Sequence, residues 1–236
     1  DIFLLDKLFQ LRSIRNQPTL LVKSDIEELH GKVVVVFGGT YGIGQEICEI
    51  CREYKTTLYV YSRSTGVDVS NSQSVRRVLS EIYEKEGRID WIVNTAGILD
   101  KQPLANMSYE VVHRSIDINY LGNIIVAKES FSYLKESKGS LLFFTSSSYT
   151  RGRALYSLYS SSKAAIVNFV QALSEEWFEY DIRVNCINPE RTKTPMRIQN
   201  FGNEPEDTLL EPKVVAIVSV NTLLSEMTGE VVDVKR

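Results

Sequence analysis

The hydrophobic pattern of the chain changes character near residue 30. Phe3, Leu4, Leu5, Leu8, Phe9 and Leu11 are spaced as on one side of a helix, Asn16-Gln17-Pro18 breaks that pattern, and Leu20-Leu21-Val22 reads as a short extended piece. Residues 1–30 are therefore expected to form a connector or the tail of an upstream domain. From Lys32 the grammar differs. Val33–Phe37 is a continuous run of β-forming apolar residues that leads straight into glycines, which is how a buried parallel strand feeding a helix is written. Similar runs predict strands at Thr57–Tyr61, Trp91–Asn94, Ser140–Thr145, Arg183–Ile187 and Glu230–Val234. Helical spacing fills the intervals, with long helices expected near Val111–Lys135 and Ser160–Glu179. In the second, Ile166, Phe169, Val170, Leu173 and Trp177 fall on one face. Strands alternating with helices over residues 31–236 predict one α/β domain, a doubly wound parallel sheet covered on both faces.

Composition narrows the function classes. A chain of 236 residues, 43% hydrophobic and 24% charged, is globular and has room for one large core. Its 27 Lys+Arg against 30 Asp+Glu give a net charge of −3, so no overall basic field holds a nucleic acid. The longest uncharged stretch, Val33 to Gln45, is rich in glycine and falls short of the roughly 20 apolar residues of a membrane span. Three cysteines are too few and too odd for a disulfide framework and point to a reducing, cytoplasmic setting. Cys48 and Cys51 form a C-x-x-C on a predicted helix, with no second pair or histidine to complete a metal site, and read as small core residues. Because the first residue is Asp1, the chain is read as part of a longer polypeptide.

The first strand and helix enclose Gly38-Gly39-Thr40-Tyr41-Gly42-Ile43-Gly44. Glycines at this junction allow a tight turn and a close approach of phosphate to free N–H groups at a helix start, so a dinucleotide site on a Rossmann-like fold is expected here. The second strand ends in Ser62-Arg63-Ser64. An arginine at this place accommodates a 2′-phosphate, which selects NADP(H). Asp68-Val69 is expected beside the adenine, and Asn94-Thr95-Ala96-Gly97 lies at a strand's C-terminal end, where parallel sheets bind ligands.

Candidate chemistry sits further on. Tyr159 and Lys163 are four residues apart and share a helix face, and an ammonium beside a phenol favours the phenolate. Ser146, thirteen residues before Tyr159, ends a strand and can offer its hydroxyl to a substrate oxygen, with Ser147 and Ser148 as competitors. Tyr149 and Tyr156 compete with Tyr159, but only Tyr159 has a lysine four residues on.

From Leu29 onward these motifs resemble the short-chain dehydrogenase/reductase family. The match comprises the glycines at 38, 42 and 44, Asn94-Thr95-Ala96-Gly97, Asn119 in Ile118-Asn119-Tyr120, Ser146, Tyr159 with Lys163, Asn188-Pro189, Thr194 and Thr228-Gly229. The resemblance implies that Tyr159 is the general acid in carbonyl reduction and that Ser146 holds the carbonyl. It implies further that Lys163 bonds the nicotinamide ribose and lowers the Tyr159 pKa, while Asn119 supports a water-linked proton relay. Implied cofactor contacts are Gly38, Thr40, Tyr41, Gly42, Ile43, Gly44, Arg63, Asp68, Val69, Asn94, Ala96, Gly97, Tyr159, Lys163, Pro189, Thr192 and Thr194. A homodimer or homotetramer through the two long helices is also implied.

Departures carry information. Phe37 stands where the family has threonine, and Pro189-Glu190 where it has Pro-Gly. Only four residues separate Arg63 from Asp68, where members fit a helix and another strand, so one sheet edge is expected to be trimmed. Arg191, Lys193 and Arg197, with Arg151 and Arg153, concentrate positive charge near the nicotinamide end, which suits an anionic, phosphorylated substrate bound through them and Ser146. The segment 188–197 also resembles the reductase part of bifunctional bacterial enzymes that convert ribulose 5-phosphate to ribitol 5-phosphate and couple it to CTP, giving CDP-ribitol for capsule polymers. In those enzymes a cytidylyltransferase domain precedes the reductase. Alternatives left open are a reductase of an acyl thioester, steroid or small ketone, and a non-catalytic dinucleotide-sensing module.

Overall fold

A computed structural model of the chain describes residues 29–236, so the connector expected over residues 1–30 lies outside the described residues except for Leu29 and His30. Leu29 is fully buried. Six strands, β1 (Val33–Phe37), β2 (Thr57–Tyr61), β3 (Trp91–Asn94), β4 (Ser140–Phe144), β5 (Arg183–Pro189) and β6 (Val231–Val234), form one parallel sheet in the order β2-β1-β3-β4-β5-β6. The helices are α1 (Gly42–Glu53), α2 (Ser72–Glu86), α3 (Tyr109–Ile116), α4 (Gly122–Ser137), α5 (Ser157–Glu176), α6 (Pro195–Phe201) and α7 (Pro212–Leu224).

The alternation of side chains along each strand sorts the apolar residues into two cores. Val33, Val35, Phe37, Ile92, Leu141, Phe143 and Val184 pack on one face with Val75, Leu79 and Ile82 of α2, Val126 and Leu134 of α4, and Ile166 and Val170 of α5. Val34, Val36, Trp91, Val93, Leu142, Phe144 and Ile187 pack on the other with Ile47 and Cys51 of α1 and Val215, Ala216 and Leu223 of α7. Continuous hydrophobic strands are thus explained, because both faces are covered. Cys48, Cys51 and Cys186 are buried free thiols, in keeping with their reading as core.

Several boundaries depart from the sequence pattern. The helix expected over 111–135 is α3 and α4 joined by a π-helical segment, Asp117–Leu121, an insertion of backbone that hydrophobic spacing does not register. The second long helix spans Ser157–Glu176 and gives way to a tight 3₁₀ turn at Phe178–Tyr180. β5 runs on to Pro189 because Asn188 and Pro189 pair with Asp233 and Val234. After β2 the chain makes a short 3₁₀ turn, Arg63–Thr65, and reaches α2 through Asn71, whose side chain caps the helix by accepting from the Ser74 N–H at 3.1 Å. β2 is the sheet edge, as the short interval between Arg63 and Asp68 implied.

Leu142, fully buried in the central strand β4, is the position where a cavity should be felt most. Leu142→Ala is expected to cost about 2–5 kcal/mol of unfolding free energy in urea titrations, with an unchanged m-value.

Candidate active site

Four strand ends converge at the C-terminal edge of the sheet, the place where open α/β sheets bind ligands. Loops after β1, β3, β4 and β5 enclose a cavity of about 200 Å³. Its lining includes Gly38, Tyr41, Gly42, Ile43, Gly44, Ala96, Gly97, Ser146, Tyr159, Lys163, Pro189, Thr192 and Thr194. A second recess is lined by Arg63, Asp68 and Val69, and it shares Gly38, Tyr41, Ala96 and Gly97 with the first. Of the other positions expected at the cofactor, Asn94 lies beneath the cradle and Thr40 in the glycine loop.

The cradle fits a dinucleotide on its own geometry. Gly38 has φ +80°, and a Cβ there would lie 2.6 Å from the Ala96 nitrogen, so the two loops approach as closely as backbone permits. Thr95 Oγ1 locks that approach by hydrogen bonds to the Phe37 and Gly38 carbonyls at 3.1 and 3.0 Å. Thr95, part of the Asn94–Gly97 motif but not among the expected cofactor contacts, supplies a hydroxyl beside the strand end where Phe37 has none. The start of α1 has no side-chain cap at Tyr41, and the buried Thr40 hydroxyl has no partner among the described residues. A helix start with free N–H groups and an unpaired hydroxyl is suited to an anionic pyrophosphate.

Buried amides hold the cradle from below. Asn94 donates to Asn123 at 2.9 Å and accepts from the Ala96 N–H at 3.1 Å, while Asn123 donates to the Asn119 carbonyl at 2.8 Å. Asn119, in the π-helical segment, grips the Ile98 backbone on both sides: its Oδ1 accepts from the Ile98 N–H at 2.8 Å, and its Nδ2 donates to the Ile98 carbonyl at 2.9 Å. This side chain therefore fixes the Ile98 loop.

Ser146 follows β4, and Tyr159 and Lys163 project from one face of α5. Lys163 is 6% exposed; its Nζ donates to the Phe144 carbonyl at 2.8 Å and lies 5.4 Å from the Tyr159 ring centre. Thr145 Oγ1 donates to the Lys163 carbonyl at 2.7 Å, so helix and strand are tied in both directions. Burial pushes the Lys163 ammonium down to about 8. Burial also raises the Tyr159 phenol above its usual value, against the opposing pulls of a hydrogen bond from Ser146 and the Arg197 charge. The expected lowering of Tyr159 by Lys163 is not among the influences on the phenol: burial dominates, and the ammonium is engaged by the Phe144 carbonyl. Among the competing hydroxyls, Ser147 is exposed, whereas buried Ser148 bonds Ser146 through N–H and Oγ at 3.3 and 3.2 Å and so orients it.

The basic residues divide. Arg153, Arg191 and Arg197 line the cavity, but Arg151 is exposed outside it and Lys193 turns to Glu206 at 2.6 Å. Arg197 is gripped by Glu204, a residue the sequence pattern did not mark. Tyr156 and Phe201 form an aromatic wall, edge-on to one another at 5.9 Å, with Tyr156 also 6.3 Å from Tyr159.

A family model described as short chain dehydrogenase matches residues 64–205. The chain belongs to this family. It is accordingly an oxidoreductase. The chain is 49% identical over 234 residues to the bifunctional ribulose 5-phosphate reductase/CDP-ribitol pyrophosphorylase Bcs1 of Haemophilus influenzae, covering 99% of this chain and 49% of the relative, about half its length. A small-chain dehydrogenase solved in complex with NADPH superposes with TM-score 0.76 and 27% identity, over 87% of this chain and 97% of the other. A 3-ketoacyl-(acyl-carrier-protein) reductase from Brucella melitensis, solved with NADH, has TM-score 0.80 and 21% identity over 87% and 97%. A nicotinamide dinucleotide is the cofactor of this short chain dehydrogenase.

Titration of the site has a direct consequence. Lys163 loses its charge above pH about 8, while the raised Tyr159 keeps its proton through the same range. In a pH profile of kcat/KM for carbonyl reduction, activity is expected to fall above pH 8, with Lys163 rather than Tyr159 setting the alkaline limb.

Proposed function

We propose that the chain reduces the ketone of a phosphorylated ketopentose, D-ribulose 5-phosphate to D-ribitol 5-phosphate, with NADPH. The observation that carries this reading is the lining of one cavity by Arg153, Arg191 and Arg197 together with Ser146 and Tyr159. The likeness to the bifunctional reductase supports it. A bound NADPH supplies the hydride. Ser146 donates a hydrogen bond to the ketone oxygen and polarises it, and Tyr159 passes its phenolic proton to the same oxygen as negative charge develops there. The Lys163 ammonium steadies the phenolate left behind. Guanidinium groups at the cavity anchor the remote phosphate, and that binding energy orients the carbonyl for reaction. Arg63, exposed in the second recess, meets the adenosine 2′-phosphate.

The product fits activation with CTP by an upstream cytidylyltransferase domain, in a cytoplasmic protein that forms a homodimer or homotetramer. A second reading, an uncharged carbonyl substrate such as a small ketone or acyl thioester, draws on the aromatic wall of Tyr156 and Phe201 and on the neutralisation of Arg197 by Glu204.

NADPH oxidation with a panel of sugar phosphates, free sugars and acyl thioesters separates the two. Ribulose 5-phosphate is expected to exceed ribulose in kcat/KM by on the order of a hundredfold; equal values would remove the phosphate anchor. Tyr159→Phe is expected to lower kcat by about 10²–10⁴ with cofactor affinity kept. Arg63→Ala should weaken NADPH by roughly ten- to a hundredfold and leave NADH unchanged, read by titration of cofactor fluorescence.

A further inference from the structure

Glu204 does not line the cavity, yet it governs a guanidinium that does. Arg197 lies on α6, and its Nε and Nη2 donate to the two Glu204 oxygens at 2.6 and 2.8 Å. Both side chains are largely enclosed, 21% and 18% exposed, unlike the Lys193–Glu206 pair, whose carboxylate is 80% exposed. A two-pronged pair of this kind fixes orientation as well as charge, whereas an exposed pair contributes little. Phe201 holds the guanidinium from a second direction, its ring centre 3.8 Å from Arg197 Cζ. The Nη1 group has no hydrogen-bond partner among the described residues. Arg191 approaches the same carboxylate at 3.8 Å. The Arg197 pairing holds the Glu204 carboxyl below its usual range, so it stays charged at neutral pH.

The backbone is shaped to deliver this carboxylate. α6 ends at Gly202, whose φ of +74° and ψ of −164° form a combination that essentially only glycine adopts, and whose N–H closes on the Ile198 carbonyl at 2.8 Å. A Cβ at Gly202 would meet nothing within 4 Å, so the glycine is required by the turn and not by crowding. The turn brings Glu204 back beside Arg197, seven residues earlier.

We infer that Glu204 is a positioning residue: it holds Arg197 from behind, in the orientation that meets the phosphate of the substrate, so the site's preference for a phosphorylated sugar depends on a side chain that touches no part of it. This rests on the reading that Arg197 is a phosphate anchor. With the Nε–Nη2 edge taken by carboxylate and one face by Phe201, the guanidinium presents its remaining edge to an incoming anion without a search over rotamers, which is how preorganisation raises affinity.

The test compares native protein with Glu204→Gln, Glu204→Asp, Gly202→Ala, Arg197→Gln and the double variant Glu204→Gln/Arg197→Gln, all saturated with NADPH. Two quantities are read: kcat/KM for ribulose 5-phosphate relative to ribulose, and calorimetric affinity for inorganic phosphate. Glu204→Gln is expected to lower both by roughly tenfold, through KM rather than kcat. Gly202→Ala should shift them in the same direction, Glu204→Asp should recover part of the loss, and the double variant should be no worse than Arg197→Gln. Additive losses in the double variant, or an equal fall for both sugars together with a lower melting temperature, would show Glu204 to be merely structural and overturn the inference. If native protein reduces no ribulose 5-phosphate, the proposed function fails by itself. Glu204 is then judged on phosphate alone: weaker binding by Glu204→Gln upholds its role, and equal or absent binding refutes it.

Discussion

The ammonium of Lys163 lies inside the protein on one hydrogen bond to the Phe144 carbonyl, while its own backbone carbonyl receives the Thr145 hydroxyl, and this reciprocal clasp joins α5 to the end of β4. A cation in apolar surroundings requires such a partner, since an unmet one carries the full cost of leaving water. The clasp sets the distance between strand and helix, and with it the meeting of Ser146, on the strand end, with Tyr159, one helical turn before the lysine. The burial that makes the clasp necessary also governs titration, lowering the ammonium and raising the phenol.

The remainder of the site is held by groups that touch no reacting atom. Thr95 pins two loops together, Asn94 donates a hydrogen bond to the Asn123 side-chain oxygen, and Asn119 grips Ile98. Each amide would be costly to bury unpaired, and each is paired, so the network stiffens the cradle instead of weakening the core. The π-helical segment belongs to the same arrangement, since it carries Asn119 between α3 and α4.

Charge at the cavity mouth is less positive than a count of arginines implies. Glu206 takes up Lys193 and Arg151 lies outside, leaving Arg153, Arg191 and the Glu204-held Arg197 as the arginines of the cavity lining. Among the described residues no helix is long and apolar enough to cross a membrane, and no group of three or more His, Cys, Asp or Glu could hold a metal ion.

Much of this was legible in sequence because it is written in short-range periods. Strands buried on both faces are unbroken apolar runs, the glycine loop sits between a strand and a helix, and Tyr159 and Lys163 are one turn apart, so the sheet, the cradle and the acid–cation pair follow from local order. The short interval between Arg63 and Asp68 likewise pointed to a trimmed sheet edge, and the structure puts β2 at that edge. Contacts between residues far apart in the chain, or beyond a break in periodicity, were decided only by tertiary structure. Thr95 reaches Phe37 across two loops, a π-helical segment interrupts an otherwise continuous helical pattern, and Glu204 returns to Arg197 through a turn at Gly202. Which cations face a ligand, and which are already neutralised, depends on where side chains end in space. Sequence spacing specifies that only within a helix or a strand.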